Sequence, residues 1–368
     1  MRIPTRPLSL LLTPFFVITS FVASFGRLPR GERLERIKQS PNYSDGQFQN
    51  LAQDEPGYPG EPPSRKWPFL GSARDLLAKP KDLRPAKPVP AIKTDLHALD
   101  RKEDTLVWLG HDTVFLQLDG MRFLVDPTLV KGSPVSFINR AFPAEYAYTP
   151  DDIPDIDYLL VSHVHWDHLD YGTVKSLQDR IGTVVCGLGA GEYFEYWKFP
   201  KEKIIELDWN EKFMFGNGLA IHVLPARHRA QRGLTQNKTL WVSFLLEAPS
   251  RTVFISGDTG YGSHFAEIGK KFPDIDLAIM ENGQYDERWP YSHLMLDDLV
   301  KAIKELDPAR VLTMHHAKYA LANHAWYEPL DNISATAEAA SFSLLTPMIG
   351  EPVRLNDPGQ KFSRWWVD

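Results

Sequence analysis

A short apolar run that ends in a dense group of histidines limits most strongly what this chain can fold into. The run is Tyr-Leu-Leu-Val at residues 158–161, and His-Val-His-Trp-Asp-His follows at residues 163–168. Three imidazoles and a carboxylate so close together would be costly to bury without partners. On a loop at the end of a strand they can converge on a metal ion, because imidazole nitrogen and carboxylate oxygen suit zinc and similar divalent cations.

Other polar groups in the second half of the chain also follow apolar, strand-like segments. These groups are His228 after residues 219–224, Asp258 after residues 252–256, and His315 with His316 after residues 310–313. Their common placement at strand ends predicts that they meet the first group at one edge of the fold.

Taken together, these runs resemble the metallo-β-lactamase superfamily. Within it they are similar to the branch that contains N-acyl-phosphatidylethanolamine-hydrolysing phospholipase D and its bacterial relatives. Further matching runs are VWLGH at 107–111, IELDW at 205–209, NKTLW at 237–241 and DERW at 286–289. The resemblance extends from about Leu106 to the C-terminus and implies an α/β fold of the αββα sandwich type. Two β-rich blocks suit the same architecture: a strand meander over 105–125 with the turn signal Asp119-Gly120, and further strands over 219–256. Helices are expected at 172–180, 264–272 and 296–306, the last with acidic residues in its first turn and Pro308 beyond its end.

The resemblance also implies two divalent cations, with zinc expected and Mn²⁺ or Fe²⁺ as alternatives. The implied ligands are His163, His165 and His228 for the first cation, Asp167, His168 and His315 for the second, and Asp258 between the two. Asp167 and Asp258 are the implied catalytic residues. Asp167 would orient a metal-bridging hydroxide, and Asp258 would hold both cations.

Three of these assignments compete with another interpretation of the residues. His222 is the alternative to His228, but it lies inside an alternating strand and is expected to be structural. His316 is the alternative to His315, and the family pattern favours the first of the pair. Asp258, in the run Gly-Asp-Thr-Gly, could instead serve only the turn.

Candidate residues for the pocket and for support of the ligands complete the predicted site. They are His111, Asp126, Arg229, Arg232, Gln284 and Tyr285. Asp126 could accept the second N–H of a ligating histidine, or could cap the turn at Pro127. The two arginines could meet a phosphate. An apolar groove could be lined by aromatic side chains, namely Tyr285, Trp289, Tyr291, Trp326 and Tyr327.

Two departures from the family pattern stand out near these candidates. His111 lies in Gly-His-Asp-Thr, where relatives commonly have Gly-His-Ser-Thr, so Asp112 replaces a serine. Arg229 takes a position that is commonly aromatic in relatives. Asp112 is expected to change the local hydrogen bonding, and Arg229 is expected to change the specificity for lipids.

Composition excludes several classes of protein. A net charge of −6 and a pI near 6.1 argue against a nucleic-acid-binding protein, which would show a basic face. Cys186 is the only cysteine, so an intramolecular disulfide and a cysteine-rich zinc finger are both excluded. Composition leaves the oligomeric state open.

The chain divides into three predicted parts. Residues 1–26 form a signal or anchor segment, whose apolar run at 7–25 follows Arg2 and Arg6, although a buried N-terminal element is the alternative. Residues 27–92 form a proline-rich arm that wraps the domain, with a short helix at 72–79, or else a disordered tether. Residues 93–368 form the hydrolase domain. Basic residues after the apolar run oppose translocation, so a membrane-associated protein of the cell envelope is expected, with the cytoplasmic side still open.

The expected function is hydrolysis of a phosphodiester by a dinuclear metal centre. The resemblance favours a phospholipase D-type enzyme that acts on an N-acyl-phosphatidylethanolamine-like lipid at the membrane, through a metal-bridging hydroxide. One alternative is a lactonase or other ester hydrolase resembling the L-ascorbate-6-phosphate lactonase branch, which acts on a small molecule. Another is a non-catalytic metal-binding module.

Overall fold

Two seven-stranded sheets form the centre of the protein. The computed structural model describes residues 19–51, 80–135 and 139–367. The helix expected at 72–79 and most of the N-terminal apolar run lie outside these residues. Helices flank the two sheets, and the αββα sandwich predicted from the sequence is confirmed.

The first sheet has the strand order β16-β3-β4-β5-β6-β7-β8. Its strands are β3 Thr105–Trp108, β4 Val114–Leu118, β5 Met121–Val125, β6 Ile156–Val161, β7 Ile181–Gly187, β8 Ile204–Leu207 and β16 Pro352–Arg354. Strands β3 to β5 form the predicted meander, and Asp119 and Gly120 between β4 and β5 both have positive φ, as a tight hairpin turn requires. From β5 to β8 the strands run parallel.

The second sheet has the strand order β15-β14-β13-β12-β11-β10-β9. Its strands are β9 Lys212–Met214, β10 Ala220–Leu224, β11 Ser243–Glu247, β12 Thr252–Ile255, β13 Leu277–Glu281, β14 Val311–Met314 and β15 Leu344–Leu345. A two-stranded sheet, β1 Tyr43–Ser44 and β2 Gln47–Phe48, lies in the N-terminal arm. Strand β10 is antiparallel to β11, which is antiparallel to β12. The carboxyl ends of β10, β12, β13 and β14 therefore lie at one edge of the sheet.

Alternation along the strands explains how the layers pack. In β12, Val253 and Ile255 point into the core shared by the two sheets, whereas Phe254 points to the opposite face. Phe254 there joins a second apolar cluster with Phe265 and Leu299 of the covering helices. Both faces of the strand are buried, which is why these central strands read as continuous apolar runs.

The helices agree with the sequence where amphipathic periodicity is strong. They are α1 Gly31–Lys38, α2 Tyr171–Ser176, α3 Gly191–Tyr196, α4 His264–Lys271, α5 Leu296–Leu306 and α6 Glu328–Ala340, and residues 19–24 are also helical. The sequence predicted α5 with the observed bounds. The helix expected at 172–180 ends earlier, and its last part is the 3₁₀ turn Gln178–Arg180. Among the described residues, no helix is long and apolar enough to span a bilayer.

The described part of the N-terminal arm is less extended than the sequence suggested. It contains helix α1 and the β1–β2 hairpin, neither of which was predicted from the sequence. Ile37 and Phe48 are fully buried in the core cluster of the protein. Arg33 of α1 donates to Glu206 at 2.6 Å and to Glu192 at 2.5 Å, which attaches the arm to β8 and α3.

Candidate metal centre

Loops that follow four strands bring the predicted ligands together. The strands are β6, β10, β12 and β14, and the side chains that follow them are those of residues 163–168, His228, Asp258 and His315. Gly257 has φ +57°, and a Cβ there would lie 2.8 Å from the Cβ of Ser162. A glycine at this position therefore lets the loop that carries Asp258 approach the loop that carries the histidines.

The first cluster contains His163, His165, His228 and Asp258, whose ligand atoms all lie within 4.8 Å of one another. His165 Nδ1 lies 2.7 Å from His163 Nε2 and 3.2 Å from His228 Nε2. Asp258 Oδ2 lies 3.5 Å from His228 Nε2. Three imidazoles around one point, with a carboxylate beside them, suit a zinc-like cation.

The second cluster lies on the other side of Asp258. Oδ2 of this carboxylate is 3.1 Å from His168 Nε2, and Oδ1 is 3.3 Å from His315 Nε2. Asp167 Oδ2 lies 3.8 Å from His315 Nε2 and 3.9 Å from His168 Nε2. The structure thus places Asp258 between the two groups of predicted ligands.

Buried polar atoms without hydrogen bonds test whether this donor set fits cations. Among the described residues, His168 Nε2, His315 Nε2 and Asp258 Oδ1 are buried and make no hydrogen bond. Leaving such atoms unpartnered costs about 1–3 kcal/mol each. Divalent cations would satisfy all three at once, so the residues fit a two-cation centre.

Hydrogen bonds behind the ligands orient their rings. Asp126 accepts from the backbone N–H and the hydroxyl of Ser162 at 2.8 and 2.5 Å, and its Oδ2 lies 3.0 Å from His168 Nδ1. His228 Nδ1 lies 2.8 Å from the carbonyl of Ser292. Each bond occupies one ring nitrogen and leaves the other directed at the centre. Asp126 therefore supports His168, one of the two roles considered for it.

Burial and charge set the protonation of the two clusters differently. Burial lowers the pKa of His165 to about 3, and with the neighbouring histidines it lowers the pKa of His163 well below the ordinary value. Burial alone would also lower the pKa of His168, but Asp258 and Asp112 outweigh it and raise that pKa well above the usual range. The first cluster therefore favours neutral histidines, the form that binds a cation, whereas the carboxylates beside His168 favour its protonated form.

The competing histidines lie outside both clusters. His316 packs its ring 4.8 Å from the Trp108 ring, and its Nε2 lies 3.3 Å from the hydroxyl of Thr313. His222 is buried in β10, and its Nε2 lies 3.0 Å from the exposed Glu247 carboxylate of β11. The clusters thus contain His315 and His228 rather than His316 and His222.

Three of the candidate pocket residues lie at the centre or at its cavity. His111 Nε2 is 3.1 Å from Asp167 Oδ2. Gln284 lines the cavity, and its amide donates to the carbonyls of His315 and Tyr319, so it braces the His315 loop. Arg229 also lines the cavity.

The structure corrects the expectation for Arg232 and Tyr285. Arg232 is buried away from the cavity, where it donates to the carbonyls of Ser24 and Leu169 and lies 4.0 Å over the Trp166 ring. The Tyr285 hydroxyl donates to Glu328 at 3.0 Å, and Tyr285 does not line the cavity. Of the five aromatic residues expected in the groove, Trp289 alone is among the lining residues.

Sequence reasoning missed several residues that the fold brings to the site. His293 lines the cavity, and its Nδ1 lies 3.0 Å from Glu281 Oε1 at the end of β13. Asn50 of the arm hydrogen-bonds to the backbone of His228. Asp112 is fully buried among the second set of ligands. Only Asp112 gave a signal in the sequence, as a departure from the family pattern.

An αββα sandwich with two clusters of imidazoles and carboxylates at one edge defines a metal-dependent hydrolase. The chain belongs to the metallo-β-lactamase superfamily: the family profile described as β-lactamase superfamily domain matches residues 121–316. An uncharacterized protein of Mycobacterium tuberculosis is 31% identical over 340 residues, which are 89% of this chain and 88% of that protein. The N-acyl-phosphatidylethanolamine-hydrolyzing phospholipase D 1 of Caenorhabditis elegans is 33% identical over 249 residues, 63% of this chain and 69% of that enzyme.

Solved structures share the fold at low sequence identity. Igni18, a metallo hydrolase of Ignicoccus hospitalis, superposes with a TM-score of 0.53 at 17% identity, over 68% of this chain and 97% of that one. An isothiocyanate hydrolase from Delia radicum gut bacteria gives 0.52 at 18% identity, over 68% and 98% of the two chains. At this identity, the likeness supports the fold alone.

Proposed function

We propose that this protein is a phosphodiesterase of the phospholipase D type that acts on an N-acyl-phosphatidylethanolamine-like lipid. The proposal rests on one observation above all: Arg229 and His293 line the same cavity as the ligands of both clusters. A guanidinium matches a phosphate, and an imidazole can give a proton to the leaving oxygen. The C. elegans relative named for this reaction adds support.

The cavity is small, at about 210 Å³, and therefore takes a headgroup better than a whole lipid. Its walls are His165, Asp167, His228, Arg229, Asp258, Gln284, Trp289, His293, His315 and Leu321. Trp289 and Leu321 are the apolar members of this set. A phosphodiester seated here would keep its acyl chains outside, next to the surface of the protein.

Seven side chains would hold the two cations: His163, His165 and His228 for the first, Asp167, His168 and His315 for the second, and Asp258 for both. When bound, the cations would lower the pKa of water toward neutrality and offset negative charge on the phosphate. Asp167 is held for this task by His111, whose Nε2 lies 3.1 Å from its Oδ2. We assign zinc to the nitrogen-rich first position.

His293 is proposed as the general acid. Its Nδ1 lies 3.0 Å from Glu281 Oε1, and Glu281 is itself fixed by the backbone N–H groups of Leu294 and Thr259 at 2.9 and 2.7 Å. With Nδ1 held by this carboxylate, Nε2 is the nitrogen left for the substrate. As water adds to phosphorus and the bond to the alcohol oxygen breaks, His293 would give its Nε2 proton to that oxygen.

Membrane association is proposed through the N-terminal region. Four exposed apolar side chains lie in or next to the helical segment 19–24, namely Phe21, Val22, Phe25 and Leu28, and Leu234 is fully exposed. The Phe25 ring packs 5.0 Å from the ring of Trp166, within the ligand loop. An apolar surface beside this loop would bring the cavity close to lipid headgroups.

Mass spectrometry on vesicles tests the substrate. Purified full-length protein, loaded with zinc or manganese, is mixed with vesicles of phosphatidylcholine that contain N-acyl-phosphatidylethanolamine. We expect N-acylethanolamine and phosphatidic acid to appear, and Asp258→Asn to abolish both. Hydrolysis of a lactone panel, with the lipid left intact, would assign the chain to the lactonase alternative.

A leaving-group comparison tests the proton donor. We expect His293→Ala to slow lipid hydrolysis by about 10²–10⁴-fold, the usual contribution of general acid catalysis. A p-nitrophenyl phosphodiester needs no proton on its leaving oxygen, so its hydrolysis should fall less than roughly tenfold. Equal losses on both substrates would remove His293 from this role.

A further inference from the structure

Asp112 lies in the turn between β3 and β4 that is attached to the His315 loop. The carbonyl of His111 accepts from the backbone N–H of His315 at 3.1 Å and from the Trp108 indole at 2.7 Å. The N–H of His111 donates to the carbonyl of His316 at 3.3 Å. These bonds hold the turn, and with it the Asp112 side chain, in a fixed position relative to His315.

The carboxylate of Asp112 is buried without any hydrogen-bond donor. Its exposure is 0%, and among the described residues neither oxygen accepts a hydrogen bond. Asp126, at a similar depth, differs because it accepts from the N–H and the hydroxyl of Ser162. A carboxylate that the protein leaves bare at 0% exposure needs a partner from outside the chain.

The distances around Asp112 indicate what that partner is. Its Oδ2 lies 3.6 Å from His168 Nε2 and 3.5 Å from His315 Nε2, and both of these nitrogens also lack hydrogen bonds among the described residues. Two ligands bound to one cation at about 2.1 Å lie about 3.0–3.4 Å apart. The three atoms therefore have nearly the spacing of ligands around a common ion.

An acceptor role toward His111 explains these contacts less well. His111 Nε2 lies 3.4 Å from Asp112 Oδ2, but the same nitrogen makes its hydrogen bond to Asp167 at 3.1 Å. The second oxygen of Asp112 would still have no partner. A hydrogen bond to His111 would leave His168 Nε2, His315 Nε2 and one oxygen of Asp112 without partners. A cation bound between Asp112, His168 and His315 would supply a partner for these atoms.

We propose that Asp112 is a direct ligand of the second cation and makes this position selective for Mn²⁺ or Fe²⁺. With Asp167 and Asp258, this position then has three carboxylates beside the two imidazoles of His168 and His315. Manganese favours such oxygen-rich ligand sets, whereas zinc favours tetrahedral sites that are rich in imidazole. The proposal rests on the two-cation centre of the proposed function and is independent of its substrate.

Manganese binding to the chelator-treated full-length protein tests the proposal. Free Mn²⁺ is measured by electron paramagnetic resonance during a titration, with and without one equivalent of Zn²⁺ in the first position. The variant Asp112→Ser restores the residue common in relatives, and Asp104→Asn removes a carboxylate that pairs with Arg251 outside the centre. Melting temperatures of the metal-free proteins are measured in parallel.

We expect Asp112→Ser to weaken Mn²⁺ binding by at least about tenfold, because losing even a group behind a ligand costs about 10–100-fold. Zinc binding in the first position should be unchanged. Metal-free Asp112→Ser should melt no lower than the metal-free wild type, because it no longer buries a bare carboxylate. Asp104→Asn should leave Mn²⁺ binding as it is. Unchanged Mn²⁺ affinity in Asp112→Ser, or a lower melting temperature without metal, would overturn the proposal, and neither result depends on activity toward lipids.

Discussion

Asn50 and His228 exchange two hydrogen bonds across 178 residues of sequence. The Asn50 amide donates to the carbonyl of His228 at 2.9 Å, and its Oδ1 accepts from the His228 N–H at 3.1 Å. Oδ1 also accepts from the indole of Trp241 at 3.0 Å. One buried amide of the N-terminal arm thus fixes the backbone that carries a predicted ligand.

Replacing Asn50 tests this support. We expect Asn50→Ala to lower zinc affinity in the first cluster by about 10–100-fold, the usual effect of losing a group behind a ligand. Unfolding should become easier by about 1–3 kcal/mol, because the backbone groups of His228 lose their partners. A competition titration with a chromogenic chelator measures the affinity. The exposed neighbour Ser44→Ala serves as control, and zinc affinity equal to that of this control would show that the arm does not position His228.

Two truncations separate the roles of the apolar run and the arm. Deleting residues 1–18 spares the contacts of Ala23 and Ser24, so we expect weaker vesicle binding and an unchanged melting temperature. Deleting residues 1–92 removes Ile37 and Phe48 from the core together with Asn50. Burial of two such side chains is worth about 3–6 kcal/mol, which corresponds to roughly 10 °C or more. Equal melting temperatures for both truncations would mean that the arm is a tether.

Replacing His315 and replacing His316, the two adjacent histidines after β14, should affect metal content and stability differently. Elemental analysis of the reconstituted wild type should give about two cations per chain. We expect His315→Ala to lose at least one of them together with all hydrolysis. His316→Ala removes packing against Trp108, so it should lower stability and keep both cations. The opposite pattern of metal content would show that His316 is the ligand.

The pH dependence of stability has a testable contribution from Lys318. Burial lowers the pKa of this lysine from 10.5 to about 8, although part of its side chain stays exposed. Below pH 8, Lys318 is protonated in both the folded and the unfolded protein, so the free-energy cost of burying its charge is fully present. Between pH 8 and pH 10.5 the unfolded chain binds more protons, so stability rises with pH. We expect a rise of about 2 kcal/mol in urea unfolding of the metal-free protein.

The variant Lys318→Met should remove this rise, since a methionine has no proton to lose. The exposed Lys361→Met should keep it. A slope between pH 8 and pH 10.5 that is the same in Lys318→Met as in the wild type would show that another group causes it.

The ends of the buried strands explain why the positions of the ligands could be predicted from the sequence. Apolar runs such as 158–161 and 252–256 mark buried strands, and polar groups that follow them must gather where the strands end. For this reason the fold brings the seven predicted ligands together at one edge of the sandwich. Helix α5 was found because acidic residues begin it and Pro308 follows it closely.

Contacts between distant segments explain what the sequence could not predict. Asn50 and His293 belong to no metal-binding pattern in the sequence, and only the folded chain brings them to the centre. Arg232 follows His228 closely in sequence, yet its guanidinium turns toward Trp166 and backbone carbonyls. Nearness in sequence does not determine the direction of a side chain on a loop.

The place of Asp258 between the clusters has a thermodynamic consequence. One carboxylate carries one negative charge, and in the proposed two-cation centre Asp258 would be a ligand of both cations. With the first cation bound, a second cation would meet a partly neutralised ligand and a like charge nearby, so each cation would weaken the binding of the other by the same factor. Loading and depletion should therefore follow two unequal steps, and a measured dissociation constant belongs to the pair rather than to either position.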